Sequence, residues 1–350
     1  MKTFLGPVAL SLLAASFPSA ADSVASTAVK VTMAEKMPLV SKSLLLDIVN
    51  CTNQAITVGE RGHVMVSADR KSWTQAEEVP TRATLTGVSC FDDNAWAVGH
   101  DGTIIHSKDG GRRWSHQRSE VMTDSDAAPQ IGAPLMDVLF LTVSKGFAIG
   151  AYGLFFETSD GGVVWTQRNI TANKAVKDAS VADENAELAE DEMSFEDEDP
   201  HLNAIARATD GTLMIVGERG VGFRSNDEGA TWESVKLPYS GSMFGIIALD
   251  TGHFLAFGLR GNAFETLDDG VTWVTVSTGT DLSLMGGQSL PNGGALLVGG
   301  NGVVLARRNQ TESFSISFDP AGSILSGVLA FGTPEVVLIG ENGISSYEPK

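Results

Sequence analysis

Four carboxylates recur in one setting. Asp109, Asp160, Asp227 and Asp268 each sit inside S/T-x-D-x-G-x-x-W, in the stretches Ser107 to Trp114, Thr158 to Trp165, Ser225 to Trp232 and Thr266 to Trp273. A worn copy around Asp69 runs from Ser67 to Trp73, one residue shorter and without the glycine. Such carboxylates could ligate calcium or a sugar hydroxyl. A tight hairpin explains the same residues: Asp accepts backbone N–H bonds across the turn, Gly permits positive φ, and Trp buries a large ring. The structural reading is preferred, because the four carboxylates come from separate repeats and should not converge.

A second set of residues occupies the slot before the last glycine of a G-x-x-G turn. Arg61, Arg219 and Arg260 hold it in three copies, and Asp101, Tyr152, Asn301 and Asn342 in the other four. Guanidinium forks suit carboxylate recognition, so these positions mark a candidate face for an anion or a peptide carboxylate. Solvated turn residues with local Glu60–Arg61 and Glu218–Arg219 pairing are the plainer alternative. Other chemistries find no support. The six His show no H-E-x-x-H spacing, two Cys cannot build a structural zinc site alone, and no Ser sits in a G-x-S-x-G elbow. The G-x-x-G turns link strand to strand, so they are not nucleotide loops, which must open a helix. No metal and no cofactor is expected.

Those turns are phased by a repeat. The first glycines, at 59, 99, 150, 217, 258, 299 and 340, are separated by 40, 51, 67, 41, 41 and 41 residues. The two long intervals hold insertions, Ser119 to Ala133 and Thr171 to His201. Each repeat reads as four short strands. The first begins at Leu46, Leu85, Leu135, Leu202, Met243, Leu284 and Leu325, and the second ends at the glycine pair. Seven copies predict an all-β, seven-bladed β-propeller of four-stranded blades, an architecture that limits exposed strand edges by radial repetition. The last copy supplies three strands before Lys350, so an N-terminal strand from residues 22–43 is expected to complete it, with the propeller spanning 44–350.

The opening residues read as a secretory signal, 1–21: Lys2, an apolar stretch from Phe4 to Phe17, then small residues at Ser19 and Ala21. No later segment approaches the roughly 18 apolar residues of a membrane span. The mature chain is therefore expected to be exported and soluble, in a periplasm or an equivalent lumen. Net charge is −19, and without the eleven carboxylates between Asp178 and Asp199 it would be −8. That sign argues against nucleic acid as a partner. The insertion at about 172–201 reads as a self-repelling acidic tract: a solvated linker is the preferred reading, and folding over the arginine-bearing face is the alternative. For Cys51 and Cys90, buried free thiols are the plainer expectation; a bridge would join neighbouring blades.

The S/T-x-D-x-G-x-x-W turns together with the recurrent VGERG or VGxxG (Val58 to Gly62, Val216 to Gly220) resemble the Asp-box, or bacterial neuraminidase repeat, propellers. Within them the chain is most similar to the photosystem II stability/assembly factor family, over roughly Leu44 to Tyr347. That resemblance implies a propeller that binds membrane-protein assembly intermediates without catalysis, and hence a membrane-protein complex as partner. The acidic insertion departs from the arginine-rich surface of the photosynthetic members. The alternative is a carbohydrate-binding or sialidase-like propeller. Its site would need the arginines, a Tyr nucleophile among Tyr152, Tyr239 and Tyr347, and a carboxylate such as Glu60, Glu218 or Glu341. Sialidases, however, use six blades.

Overall fold

The computed structural model describes Met1 and residues 31–119, 132–170 and 199–349. The rest of the expected signal, residues 22–30 and the acidic tract through Glu198 lie outside the described residues. Among the described residues seven antiparallel sheets follow one another along the chain, six of four strands and the last of three. They form the seven-bladed propeller expected from the repeat count. Their inner strands are Leu45–Asn50, Leu85–Phe91, Leu135–Phe140, Leu202–Arg207, Met243–Asp250, Leu284–Leu290 and Leu325–Ala330. Among the described residues no helix is long and apolar enough to cross a membrane.

Each blade starts from one pairing rule. The first residue of the inner strand faces the first glycine of the G-x-x-G turn: Leu45 with Gly59, Leu85 with Gly99, and so on through Leu325 with Gly340. In blade one this places the start at Leu45 rather than the expected Leu46. The run Leu44 to Leu46 looks the same in either phase, and only the partner strand fixes it. A bulge follows at once, because the next residue is skipped in the ladder and the third resumes it, as Asp47 does opposite Val58. The skipped side chain is thereby turned toward the axis of the ring.

The turn glycines are dictated by close backbone approach. A Cβ on Gly59 would stand 2.1 Å from the Leu44 carbonyl oxygen, and one on Gly62 (φ 70) 2.2 Å from that of Thr81. The residue between, Arg61, takes the left-handed region at φ 54. The second strands are buried on both faces, as in Ala55–Gly59 and Leu213–Gly217. This explains why they read as continuous apolar runs and not as alternating ones.

The ring closes by packing of blade seven on blade one. Leu45 and Ala55 lie in one buried cluster with Leu329, Val337 and Ile339, and the Ser326 hydroxyl donates to the Leu45 carbonyl at 2.7 Å. The strand expected to complete the last blade does not form among the described residues. Residues 33–37 bind blade one's outer rim instead: the Ala34 amide donates to Val79 O at 2.8 Å, Gln75 Nε2 to Glu35 O at 2.7 Å, and Arg82 Nε to Met33 O at 2.9 Å. Only the last step of the expected path is kept. The Ser41 carbonyl lies against Gly343 as Thr81 lies against Gly62.

Cys51 and Cys90 are bridged, with Cα atoms 5.8 Å apart, so the expectation of free thiols is corrected. The reason is the phase of blade one. Measured from Leu45, Cys51 lies just past the end of its strand, in the turn to the second strand of blade one, one position later in its repeat than Cys90 is in the next.

Candidate functional site

The bulged side chains from all seven inner strands (Leu46, Thr86, Met136, Asn203, Phe244, Met285 and Ser326) line a central cavity of about 630 Å³. Leu44, Ile324 and Glu341 form its rim on the face of the G-x-x-G turns. The mouth is largely apolar, with Met285 37% and Ile324 49% exposed.

The polar members of this wall act as latches between neighbouring blades. Thr86 Oγ1 donates to Leu135 O at 2.6 Å, and Asn203 Nδ2 to Met243 O at 2.9 Å. Two blades use a carboxylate one residue further on. Asp47 accepts from its own neighbour Ile48 N at 2.7 Å and from Val88 N of the next blade at 2.8 Å. Asp137 accepts from Val138 N at 2.7 Å and from Ile205 N at 2.9 Å. At the same phase the other five blades carry Gly87, Ala204, Gly245, Gly286 and Gly327. A Cβ on Gly87 would lie 3.0 Å from Asp137 Cα, so the small residue makes room between the two acids.

Neither acid stands out in the sequence by itself, although this position of the repeat carries the signal: two Asp among Gly and Ala. Both are half-buried where they line the channel. Burial, and then the facing Asp47, push Asp137 up to about 7, against its backbone hydrogen bonds. Burial likewise raises Asp47.

A carboxyl raised in the folded state holds a proton that the unfolded chain has lost. Its contribution to stability is full below about pH 4 and disappears as pH rises through 7. From pH 5 to pH 8 the protein should therefore lose about 1–2 kcal/mol through Asp137, less than the unscreened shift would give. Asp137→Ala, the residue blade four carries as Ala204, should flatten that slope in urea titrations at several pH values. Equal slopes in both proteins would show that Asp137 does not titrate in this range.

The seven turn residues marked in the sequence do share the face on which the cavity opens, but none lines it among the described residues; Glu341 is the turn residue that does. Arg219, Arg260, Asp101, Asn301 and Asn342 are exposed on separate blades. Tyr152 packs edge-on against His201, ring centroids 4.9 Å apart, beside a second cavity near Arg168. Arg61 stands over a third, smaller cavity beneath the N-terminal segment.

On the opposite face the S/T-x-D-x-G-x-x-W turns use their carboxylates internally. Asp109 Oδ1 accepts from Ser107 Oγ at 2.9 Å and from the amides of Arg112 and Arg113 at 3.1 and 2.9 Å. Trp114 Nε1 donates to Gly111 O at 2.8 Å. Asp160, Asp227 and Asp268 repeat the scheme from Thr158, Ser225 and Thr266, and Asp69 does so within the worn copy. The Thr231 hydroxyl and amide, with Ser225, hold Asp227 down at about 2.

The box carbonyls also receive the preceding blade. Trp96 Nε1 donates to Gly161 O at 3.1 Å, and Arg168 Nη1 to Gly229 O at 3.1 Å. Trp165, Trp232 and Trp273 pack into the seams beside these contacts. Asp227→Ala should accordingly lower the Tm by roughly 2–4 °C, while EDTA or calcium leaves the wild-type Tm unchanged. A calcium-dependent rise in Tm would restore the metal-ligand reading.

No protein-family model and no curated protein matches the sequence. Among solved structures the chain is similar to YCF48 bound to a D1 peptide, with TM-score 0.64 and 16% identity over 91% of this chain and 95% of that one. It is similar to YCF48 from Cyanidioschyzon merolae, with TM-score 0.61 and 17% identity over 88% and 95%. It is also similar to the WD40 propeller domain of Doa1, with TM-score 0.62 and 12% identity over 90% and 94%. At these identities the likeness is one of fold.

Proposed function

We propose that the chain is an exported, non-enzymatic propeller that binds a protein, acting as a scaffold or assembly factor for a membrane-associated complex. The observation that carries this reading is the channel mouth. Leu44, Leu46, Met136, Phe244, Met285 and Ile324 gather an apolar opening on an otherwise polar turn face, and rimmed apolar concavities of this kind take partner side chains. Deeper in, the oxygens of Asp47 and Asp137 are occupied by backbone amides, which suits latches between blades better than acid–base catalysis. The similarity to a YCF48 propeller bound to a D1 peptide supports a protein ligand for this fold, and the leader-like opening residues support export.

A photo-crosslinking residue at Met285, compared with one at Val163 on the box face, tests the reading in detergent-solubilised membranes. A membrane protein captured from Met285 alone, and lost when Phe244 is changed to Asp, supports it. Equal capture from both positions overturns it. Turnover of a fluorogenic sialoside or glycoside panel would favour the carbohydrate-active alternative.

A further inference from the structure

The cavity beneath the N-terminal segment, about 210 Å³, is lined by Glu35, Met37, Arg61, His63 and Arg82. Its position on the rim of blade one separates it from the central channel. His63 is 1% exposed, and neither of its ring nitrogens has a hydrogen-bond partner. An imidazole buried in this way is costly unless something bonds to it. Of the two arginines, Arg82 is engaged by Glu35 at 2.8 Å and by Met33 O. Arg61 has no ion-pair partner among the described residues. The left-handed backbone at Arg61, φ 54, is repeated at the same slot in five other blades, but only blade one follows that turn with a buried histidine.

We propose that this cavity is a carboxylate-binding site, in which Arg61 and His63 donate to the two oxygens of the ligand. Charge balance selects the class. Arg82 and Glu35 cancel, so Arg61 leaves one positive charge for a monoanion. A cation would meet both guanidinium groups, and a dianion such as phosphate would exceed the single net positive charge of the lining and meet Glu35. A guanidinium beside an imidazole N–H suits a planar two-oxygen acceptor. At about 30 Å³ per water the cavity has the volume of roughly seven waters, enough for one terminal residue or one acidic side chain.

The site stands whether or not the central channel takes a protein. Burial and, to a smaller extent, Arg61 lower the His63 pKa below its usual 6.5, with Glu60 opposing them; Glu35 and Arg82 are the other charged groups facing the cavity. A bound carboxylate would raise that pKa, so binding should take up a proton and tighten as pH falls from 7.5 to 6.

The test uses the full chain with isotope-labelled histidine, whose six side chains are read by the NMR shifts of their ring nitrogens. The probes are N-acetyl-Ala-Ala as free acid, the same dipeptide amide, and N-acetyl-Asp amide. The free acid or the aspartyl amide should move the His63 ring signals and leave those of His253, buried against Glu265, unmoved. Which acid binds separates a chain terminus from a side chain as the source. Arg61→Gln should weaken binding roughly tenfold, and His63→Gln should abolish the proton uptake seen by calorimetry in two buffers. If His63→Gln fails to fold, the wild-type shifts and Arg61→Gln still decide. Equal response to the acids and the neutral amide overturns the proposal, as does an unmoved His63 at tens of millimolar acid.

Discussion

Arg307→Met should destabilise the protein by about 3–5 kcal/mol, the usual cost of removing one partner from a buried ion pair. Arg307 on blade six reaches across to Glu265 on blade five, donating at 3.0 and 2.8 Å to its two oxygens. His253 contacts the same carboxylate. All three are buried, with Arg307 3% and Glu265 8% exposed. Burial alone would push Glu265 up, but His253 and Arg307 hold it at about 2. Stability from this carboxylate is therefore present above the unfolded pKa of 4.5 and is lost as pH falls through 2. With Arg307 gone, Glu265 keeps a buried charge against one imidazole. Adding Glu265→Leu to Arg307→Met should recover part of the loss, because the apolar pair leaves no buried charge, although His253 Nε2 then loses its partner. Denaturant unfolding of the two single variants and the double variant gives the coupling. A single-variant loss under about 1 kcal/mol, or a double variant no better than the single, would show that the seam does not depend on the pair.

This seam also shows where the sequence could and could not be read. Glycine spacing revealed the blades because backbone crowding at Gly59 and Gly62 leaves no alternative residue, so the constraint is local and repeats at fixed phase. The hairpin boxes were legible for the same reason: Asp109, Ser107 and Trp114 each find a hydrogen-bond partner within the same eight residues. Interactions between blades leave no such trace. Glu265 and Arg307 occupy third strands 42 residues apart, and each alone reads as an ordinary polar strand residue. Asp47 and Asp137 were hidden differently. Their meaning lies in the contrast with five small residues at the same phase, and the misplaced start of blade one at Leu46 put Asp47 out of that alignment. The arginine slot was found correctly as a turn position. Sequence could not say that none of these turn side chains lines the channel while the bulge just after each strand start does. Nor could it say that residues 33–37 would hydrogen-bond to blade one.

Reducing the Cys51–Cys90 bridge should cost about 2–4 kcal/mol. The cross-link closes a loop with a sequence separation of 39, for which chain entropy in the unfolded state predicts about 4 kcal/mol, and measured values usually fall below that model. The bridge lies near one end of the first seam, and the Asp47–Val88 latch lies at the channel end of the same inner strands. Two fastenings on one seam should not be additive, since either keeps the inner strands of blades one and two in register. Asp47→Ala should therefore cost more in reduced protein than in oxidised protein. Reduction without substitution is the cleaner experiment, because Cys51 is only 7% exposed within the blade one core. Truncating it to Ala would add a cavity cost to the entropic one. Chemical unfolding with and without reductant, each with and without Asp47→Ala, yields both numbers. Strict additivity would mean that the two fastenings hold independent parts of the seam. No loss on reduction would mean that blades one and two already stay together in the unfolded ensemble.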